Sequence, residues 1–333
     1  MLWLAGLMGI MVLGSVAVVT TGLPEDDIDL PDDPAQDEDL GTMPLPDPVS
    51  DPNDFELPSI FRAQSANAPT GMKLLGTGDS DTLGGELGTD LINGMGGDDF
   101  LSGDGGDDQI WGGAGDDIVM GGDQNDTLHG ESGGDAIAGG AGQDDLYGHD
   151  GDDTLTGDDG DDALYGGLGA DILNGGAGAD ALLGREGDDT LIGGTGHDTL
   201  QGGAGNDALI GFDDDETDYL NGADGDDLLI AGLGDVLSGG DGSDTFLLGD
   251  WLRTDAAALT DFSPQDDRMV VVYDDLDMPS APEVSIGPST DDPDTVEIRL
   301  NGDVVGTVPA KDAPMLHDII VMAESEANML NVV

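Results

Sequence analysis

Aspartate recurs at every ninth position through fifteen consecutive copies, and this period constrains the fold of the chain more than any other feature. A glycine stands five residues before each of these aspartates, and an aliphatic residue stands two residues after each. A fixed period of this kind is typical of proteins that stack one small unit on the next. The aspartates of the regular series are Asp81, Asp90, Asp99, Asp108, Asp117, Asp126, Asp135, Asp144, Asp153, Asp162, Asp171, Asp180, Asp189, Asp198 and Asp207.

The series continues beyond Asp207 in degenerate form. Two inserted residues precede Asp218, and one residue is lost before Asp235. Asp227 and Asp244 keep the nine-residue distance from the copy before them. We therefore expect the same architecture to continue to about residue 250, with an irregular loop at Phe212–Thr217 whose neighbourhood binds an ion weakly or not at all.

The copies follow the pattern G-G-x-G-x-D-x-U-x, where U is aliphatic, and some match it fully, as in GGAGDDIVM (112–120) and GGLGADILN (166–174). This pattern resembles the RTX, or hemolysin-type, calcium-binding repeat family. The resemblance implies an all-β fold, a right-handed parallel β-roll, in which each repeat is a short strand and a turn and two repeats complete one turn. It also implies that Ca²⁺ lies between loops one full turn apart, so that Asp108 shares an ion with Asp126, and Asp117 with Asp135.

The residue types agree with calcium independently of the resemblance. Ca²⁺ takes six to eight oxygen ligands in a flexible arrangement, whereas Mg²⁺ requires a tighter octahedron. Glycines permit positive φ, so the loop can turn its carbonyl groups inward. The predicted ligands are the fifteen aspartates above together with Asp227 and Asp244. The glycines predicted to shape the loops include Gly112, Gly115, Gly139, Gly142, Gly166, Gly169, Gly175, Gly178, Gly193, Gly196, Gly202 and Gly205.

The net charge of the chain makes the metal a condition of folding. There are 73 Asp and Glu residues against 7 Lys and Arg, a formal net charge of -66. Such a charge repels nucleic acid and anionic lipid, and it opposes compaction unless cations neutralise it. Acidic composition with few aromatics is also typical of disorder. The fixed period of the glycines argues against disorder, and we expect the repeats to fold when Ca²⁺ binds.

Four segments follow from these patterns. Residues 1–23 are predicted to form an apolar helix, either an uncleaved membrane anchor or a cleaved signal peptide, and both place the rest of the chain outside the cytoplasm. Residues 24–72 are a disordered, acidic, proline-rich linker. Residues 73–250 are the calcium-binding roll. Residues 251–333 are a small, mostly β cap of the kind that serves secretion in relatives, with a hairpin predicted around Asn301-Gly302.

One face of the predicted roll carries aromatic side chains. Trp111, His129, Tyr147 and Tyr165 each stand three residues after a repeat aspartate and eighteen residues apart, so we expect them to stack at about 4.8 Å. They form either a ladder that stiffens the sheet or a platform for a sugar or polymer. His129, His149 and His197 have no close partner in the repeat pattern, which predicts exposed loop residues without a transition metal.

No catalytic motif is found, and the chain is predicted not to be an enzyme. The best hypothesis is an exported or membrane-tethered module that binds several Ca²⁺ ions and acts structurally or in contacts with a cell-surface polymer or protein. One alternative is an adhesin or carbohydrate-binding protein that uses the aromatic face. Another is the accessory repeat region of a secreted hydrolase or toxin.

Overall fold

The structure, a computed structural model, describes residues 71–211, 215–249, 252, 255–274, 282–323 and 325. Two sheets, of fourteen and twelve strands, face each other across one narrow core. Successive strands of the repeats alternate between the two sheets, so that two repeats complete one turn and the repeats stack into a parallel β-solenoid of about ten turns. This arrangement confirms the all-β parallel architecture that the resemblance implies.

Most repeats form a strand that starts immediately after the aspartate. In β5, for example, Gln109, Trp111 and Gly113 alternate with the inward positions Ile110 and Gly112. Successive residues of a strand point to opposite faces, so the aliphatic residue enters the core. These aliphatic residues are almost fully buried and form the core of the roll: Leu83, Ile92, Leu101, Ile110, Val119, Leu128, Ile137, Leu146, Leu155, Leu164, Leu173, Leu182, Leu191, Leu200 and Leu209.

The first sheet has the order β1-β3-β5-β7-β9-β11-β13-β15-β17-β19-β21-β25-β24-β23. Its strands are β1 Lys73–Leu75, β3 Leu91–Gly96, β5 Gln109–Ala114, β7 Thr127–Ser132, β9 Asp145–Asp150, β11 Ala163–Leu168, β13 Ala181–Glu186, β15 Thr199–Ala204, β17 Tyr219–Asp224, β19 Val236–Asp241, β21 Ala257–Leu259, β23 Val284–Pro288, β24 Thr295–Leu300 and β25 Asp303–Pro309.

The second sheet has the order β2-β4-β6-β8-β10-β12-β14-β16-β18-β20-β22-β26. Its strands are β2 Thr82–Leu87, β4 Phe100–Gly105, β6 Ile118–Asp123, β8 Ala136–Ala141, β10 Thr154–Asp159, β12 Ile172–Ala177, β14 Thr190–Thr195, β16 Ala208–Ile210, β18 Leu228–Ile230, β20 Thr245–Gly249, β22 Arg268–Tyr273 and β26 Ile319–Ala323. A 3₁₀ turn, Ala310–Asp312, follows β25.

The two irregular repeats are absorbed in loops and leave the strand register intact. Thr199 pairs with Tyr219, twenty residues away, and Tyr219 pairs with Val236, seventeen residues away. The insertion and the deletion therefore change the length of a turn without moving any aliphatic residue off the core face, and Leu220 and Leu237 remain buried.

The segment after residue 250 extends both sheets. β21 and β25 continue the first sheet in parallel, and β22 and β26 continue the second. The predicted hairpin is confirmed, because β24 and β25 pair antiparallel around Asn301 (φ 54°) and Gly302 (φ 102°). Phe246 and Phe262 are buried in edge-to-face contact at 5.8 Å between ring centroids, which packs the turn after β21 against the core.

The predicted N-terminal helix (1–23) and nearly all of the predicted linker (24–72) lie outside the described residues. Among the residues that are described, no helix has the length and apolar character needed to cross a bilayer. Among the described residues, the first strand begins at Lys73.

Candidate calcium-binding loops

The repeat aspartates line the turns between the two sheets, and each of them is buried. Asp108, for example, precedes β5 and is 1% exposed. The turn at each aspartate redirects the chain from one sheet to the other, and the carboxylate of Asp108 accepts a hydrogen bond from the preceding turn instead of pointing to solvent. The degenerate copies Asp218, Asp227, Asp235 and Asp244 are also buried.

A ladder of hydrogen bonds connects each aspartate to its equivalent one turn later. The backbone N–H of Asp108 donates to Oδ1 of Asp126 at 2.8 Å, and that of Asp117 donates to Oδ1 of Asp135 at 2.8 Å. The aspartates that the resemblance pairs around one ion are therefore neighbours in space. The ladder passes the irregular loop without a break, because Asp198 donates to Asp218 at 2.8 Å and Asp218 to Asp235 at 2.9 Å.

In fourteen of the repeat aspartates, Oδ2 is buried without a hydrogen-bond partner. An unpaired buried carboxylate oxygen is costly, because the charge loses its water and gains nothing in return. This row of atoms marks positions where a cation can replace the missing partners. The row includes Oδ2 of Asp99, Asp108, Asp117, Asp126, Asp135, Asp144, Asp153, Asp162, Asp171, Asp180, Asp189, Asp207, Asp227 and Asp244.

The first glycine of the motif keeps space open beside this oxygen. A Cβ added at Gly139 would lie 2.5 Å from Oδ2 of Asp144 and 2.9 Å from the carbonyl oxygen of Gly157. The carboxylate oxygen and a backbone carbonyl one turn later therefore face the same small space. Gly139 does not have positive φ, so the sequence-based explanation by backbone freedom is wrong at this position, and close approach is the reason for glycine.

The glycine two residues before the aspartate is the one that needs a left-handed backbone. Gly115 has φ 132°, and a Cβ there would also collide with the chain one turn earlier. The second glycine of the motif likewise has positive φ, as at Gly113, but several copies hold another residue in the same conformation. These are Met95, Asp104, Glu131, His149, Asp158 and Arg185, with φ between 71° and 89°.

Burial and neighbouring charge favour the protonated form of these carboxyls when no metal is bound. Burial, the largest cause, raises the pKa of Asp126 and Asp135 to about 7, and the charges of nearby aspartates raise it further. The hydrogen bond that each carboxylate accepts from the backbone of the aspartate one turn earlier lowers the pKa, but by less than burial raises it. Burial also raises the pKa of Asp162, Asp171 and Asp207 to about 7 and that of Asp108, Asp117, Asp180 and Asp244 to about 6.

The donor set of these loops fits a hard cation. The atoms that face the space beside Gly139 are a carboxylate oxygen and a backbone carbonyl oxygen, and the loop motif contributes no nitrogen or sulfur ligand. Oxygen ligands supplied by backbone and carboxylate groups suit Ca²⁺. The residues present thus agree with the cation predicted from the sequence.

A second row of side chains was missed by the sequence analysis. The residue just before the repeat aspartate also accepts a hydrogen bond from the neighbouring turn, but in the opposite direction along the roll. Asp116 accepts from Gly134 N–H at 3.0 Å, and Asp161 accepts from Ala179 N–H at 3.0 Å. The Asp-Asp doublets at these positions were the signal that could have revealed this row.

The ladder ends on an aspartate outside the repeats. Oδ1 of Asp267 accepts the backbone N–H of Asp244 at 3.1 Å, and Asp261 accepts from Gly239 N–H at 3.0 Å. Both lie in the segment between β21 and β22, beyond the last nonapeptide repeat.

The aromatic residues form the ladder that the period predicted. Ring centroids are 5.5 Å apart for Trp111 and His129, 4.7 Å for His129 and Tyr147, and 4.8 Å for Tyr147 and Tyr165, with planes within 13° of parallel. Arg185 covers the far side of Tyr165, with its guanidinium carbon 5.6 Å from the ring centroid. The faces of the inner rings are thus occupied by one another, and an outside ligand can meet their edges only.

The prediction that the histidines have no close partner is wrong for two of them. Nδ1 of His129 lies 3.0 Å from Nε2 of His149, and the two rings also contact each other. The two histidines are twenty residues apart, whereas directly paired residues of neighbouring turns are eighteen apart. The contact is therefore diagonal across the two strands, and aligning equivalent positions of the repeats does not reveal the contact. His197 agrees with the prediction of an exposed residue, and it contacts Glu216 at 3.2 Å.

Comparison with known families agrees with this geometry. The family described as RTX calcium-binding nonapeptide repeat (four copies) matches residues 75–110, 111–146, 147–182, 183–215, 212–235 and 234–250. Together these matches span more than half of the chain. No curated protein matches the sequence significantly.

Proposed function

The chain belongs to the family of RTX calcium-binding nonapeptide repeat proteins, and from that premise we propose that it is a non-catalytic module that folds as it binds several Ca²⁺ ions. The proposal rests on one observation above the others. Buried aspartate oxygens without a hydrogen-bond partner recur at loop after loop, beside a space that glycine keeps open.

The proposed ligands are the aspartates of neighbouring turns and the carbonyl groups of the loop glycines. Asp108 with Asp126, and Asp117 with Asp135, are two of these pairs, and the same relationship repeats from Asp81 to Asp207 and again at Asp227 and Asp244. Each ion would supply the partner that Oδ2 lacks and cancel two negative charges. Because neither the partner nor the neutralisation is available without metal, binding free energy becomes folding free energy.

The same coupling suggests where the protein acts. Ca²⁺ sites of extracellular modules have dissociation constants of about 10⁻⁴–10⁻³ M, so sites of that kind stay empty at cytoplasmic Ca²⁺ concentrations. We propose that the chain remains unfolded until it is exported and folds outside the cytoplasm. There it would be secreted or tethered through residues 1–23 and would act as a rigid spacer or a surface-interaction module.

Circular dichroism of the full chain tests the coupling. In EDTA the β signal of the repeats should be small, and it should rise cooperatively as Ca²⁺ is added, whereas Mg²⁺ at the same concentration should restore much less. Calorimetric titration should give a stoichiometry of several ions per chain. A chain that is fully folded in EDTA, or that binds a single Ca²⁺, would contradict the proposal.

A further inference from the structure

Three side chains on the first sheet bring metal-binding atoms together outside the calcium loops. They are His129 and Glu131 of β7 and His149 of β9. One ligand atom from each lies within 4.8 Å of the other two. Glu131 and His149 are directly paired across the parallel strands, and His129 lies two residues before Glu131 on the same face. We propose that these three residues form a separate site for one transition-metal ion of the Cu²⁺ or Zn²⁺ class.

The ligand types separate this site from the calcium loops. Two imidazole nitrogens and one carboxylate oxygen are a ligand set that zinc and copper accept and that Ca²⁺, which takes oxygen ligands, does not favour. A metal of this class would therefore enter the site even when the aspartate loops are saturated with Ca²⁺. The surrounding excess of negative charge also favours entry of a cation.

The observed separation of the nitrogens fits a shared metal. Two nitrogens at about 2.0–2.1 Å from one ion lie about 3.3 Å apart in a tetrahedron and about 2.9 Å apart at a right angle. Nδ1 of His129 and Nε2 of His149 are 3.0 Å apart, between these values.

The rings are held near this position before any metal arrives. His129 lies between Trp111 and Tyr147, with ring planes 6° and 13° from parallel to its own. His149 contacts the rings of His129 and Tyr147. Such packing restricts the rotation of both imidazoles, and a ligand that is already oriented loses less entropy on binding.

The backbone at Glu131 and His149 is unusual even within the roll. Both occupy the second position of the motif in a left-handed conformation, at φ 82° and 81°, where glycine is preferred. In the described part of the roll, this is the one place where neighbouring turns of the same sheet both hold a side chain in that strained position. Strain of this kind clusters at functional sites, where a side chain is needed despite its cost.

A cavity of about 440 Å³ adjoins two of the three residues, Glu131 and His149, and gives the proposed metal access to solvent. Met95, Trp111, Glu131, His149 and Asp150 are among the residues that line it. Three protein ligands and an open side leave at least one coordination position for water or a small ligand. The site therefore resembles an accessible metal centre more than a closed structural one.

Two substitutions remove a ligand and preserve the fold. H149G places glycine at a left-handed position, and Gly113 and Gly167, on either side of the Glu131–His149 pair, already hold glycine in that conformation. H129Y continues the aromatic ladder with the residue type found at Tyr147 and Tyr165. H197Q and H317Q are matched controls, because they remove histidines that lie elsewhere. Circular dichroism in saturating Ca²⁺ should be the same for all four variants and the wild type.

Electron paramagnetic resonance of the Ca²⁺-loaded full chain with one equivalent of Cu²⁺ tests the site. The wild type and both controls should show coupling to two nitrogens, and Zn²⁺ should compete with Cu²⁺ only in large excess, because such ligands bind Cu²⁺ more tightly. H149G and H129Y should lose the two-nitrogen spectrum and weaken Cu²⁺ binding by at least about tenfold, since even outer-shell changes often do so. Purely oxygen-ligated Cu²⁺ in the wild type, or wild-type affinity in H149G, would overturn the proposal.

Discussion

The backbone N–H of Asp108 donates a 2.8 Å hydrogen bond to Oδ1 of Asp126 one turn later, and Oδ2 of Asp126 is buried without a hydrogen-bond partner. One half of the carboxylate thus joins two turns, and the other half is left for a cation. Because this relationship repeats along the roll, a single aspartate contributes both to strand stacking and to the proposed metal site.

Replacing Asp126 with asparagine should have opposite effects with and without Ca²⁺. D126N keeps the shape of the side chain and removes a buried charge, so the metal-free roll should become more stable. It also removes an anionic ligand, so the apparent Ca²⁺ affinity should fall on the order of tenfold. The β signal that remains in EDTA at pH about 7, followed by circular dichroism, and calorimetric Ca²⁺ titration measure the two effects. D123N, at an exposed aspartate of the same turn, should change neither.

The metal-free roll should gain stability as the pH is lowered. Burial raises the pKa of Asp126, Asp135 and Asp171 to about 7 in the folded chain, against 3.8 for the ordinary carboxyl. Between these values the folded chain binds more protons than the unfolded chain, so stability falls as pH rises through the interval from about 4 to 7. Circular dichroism in EDTA at pH values across this interval should show the β signal increasing towards the acid end.

Calcium binding should show the reverse dependence on pH. Protons and Ca²⁺ compete for the same carboxylate oxygens, so more Ca²⁺ is needed to fold the chain at pH about 5 than at pH about 7.5. The midpoint of a Ca²⁺ titration followed by circular dichroism measures this shift. An unchanged midpoint across that range would show that the buried aspartates are not the ligands.

Adding a methyl group at Gly139 should close one calcium loop. The Cβ of G139A would lie 2.5 Å from Oδ2 of Asp144 and 2.9 Å from the Gly157 carbonyl oxygen, so either the carboxylate or the backbone has to move. We expect the Ca²⁺-bound form to lose about 1–3 kcal/mol of unfolding free energy, the usual cost of overpacking. Chemical denaturation in saturating Ca²⁺ measures this loss of unfolding free energy. G84A is the control, because no atom lies within 4 Å of its added Cβ, and its loss should be markedly smaller.

Glycine at Met95 should stabilise the roll. Met95 is half-exposed and holds φ 81°, a left-handed conformation that costs a non-glycine residue about 1–2 kcal/mol. M95G removes that cost and should raise the free energy of unfolding by about 1 kcal/mol. Met120, a similarly exposed methionine without positive φ, is the matched position, and M120G should destabilise by about 0.5–1 kcal/mol. The unfolding free energies of both variants, measured at the same Ca²⁺ concentration, should show an increase for M95G and a decrease for M120G.

The position of each repeat residue relative to the core could be read from the period. Leu128 and Leu146 point inward, Asp126 and Asp144 lie buried in the turns, and Trp111, His129 and Tyr147 stack at nearly the predicted distance. The sequence did not reveal why the first position of the motif requires glycine. The requirement comes from the collision between an added Cβ at Gly139 and the carboxylate of Asp144, which depends on how that carboxylate folds back under the turn.

By itself the sequence determined the nine-residue period, the inward aliphatic row and the oxygen-rich loops, because each depends on residues at fixed distances along the chain, and its resemblance to a known repeat family implied the turn of two repeats. Only the tertiary structure decided the contacts that cross this register. It placed His149 against His129, joined Asp244 to Asp267, and continued both sheets through β21, β22, β25 and β26. A period specifies where the backbone repeats, but diagonal contacts depend on the direction of each side chain and on irregular segments, neither of which the period describes.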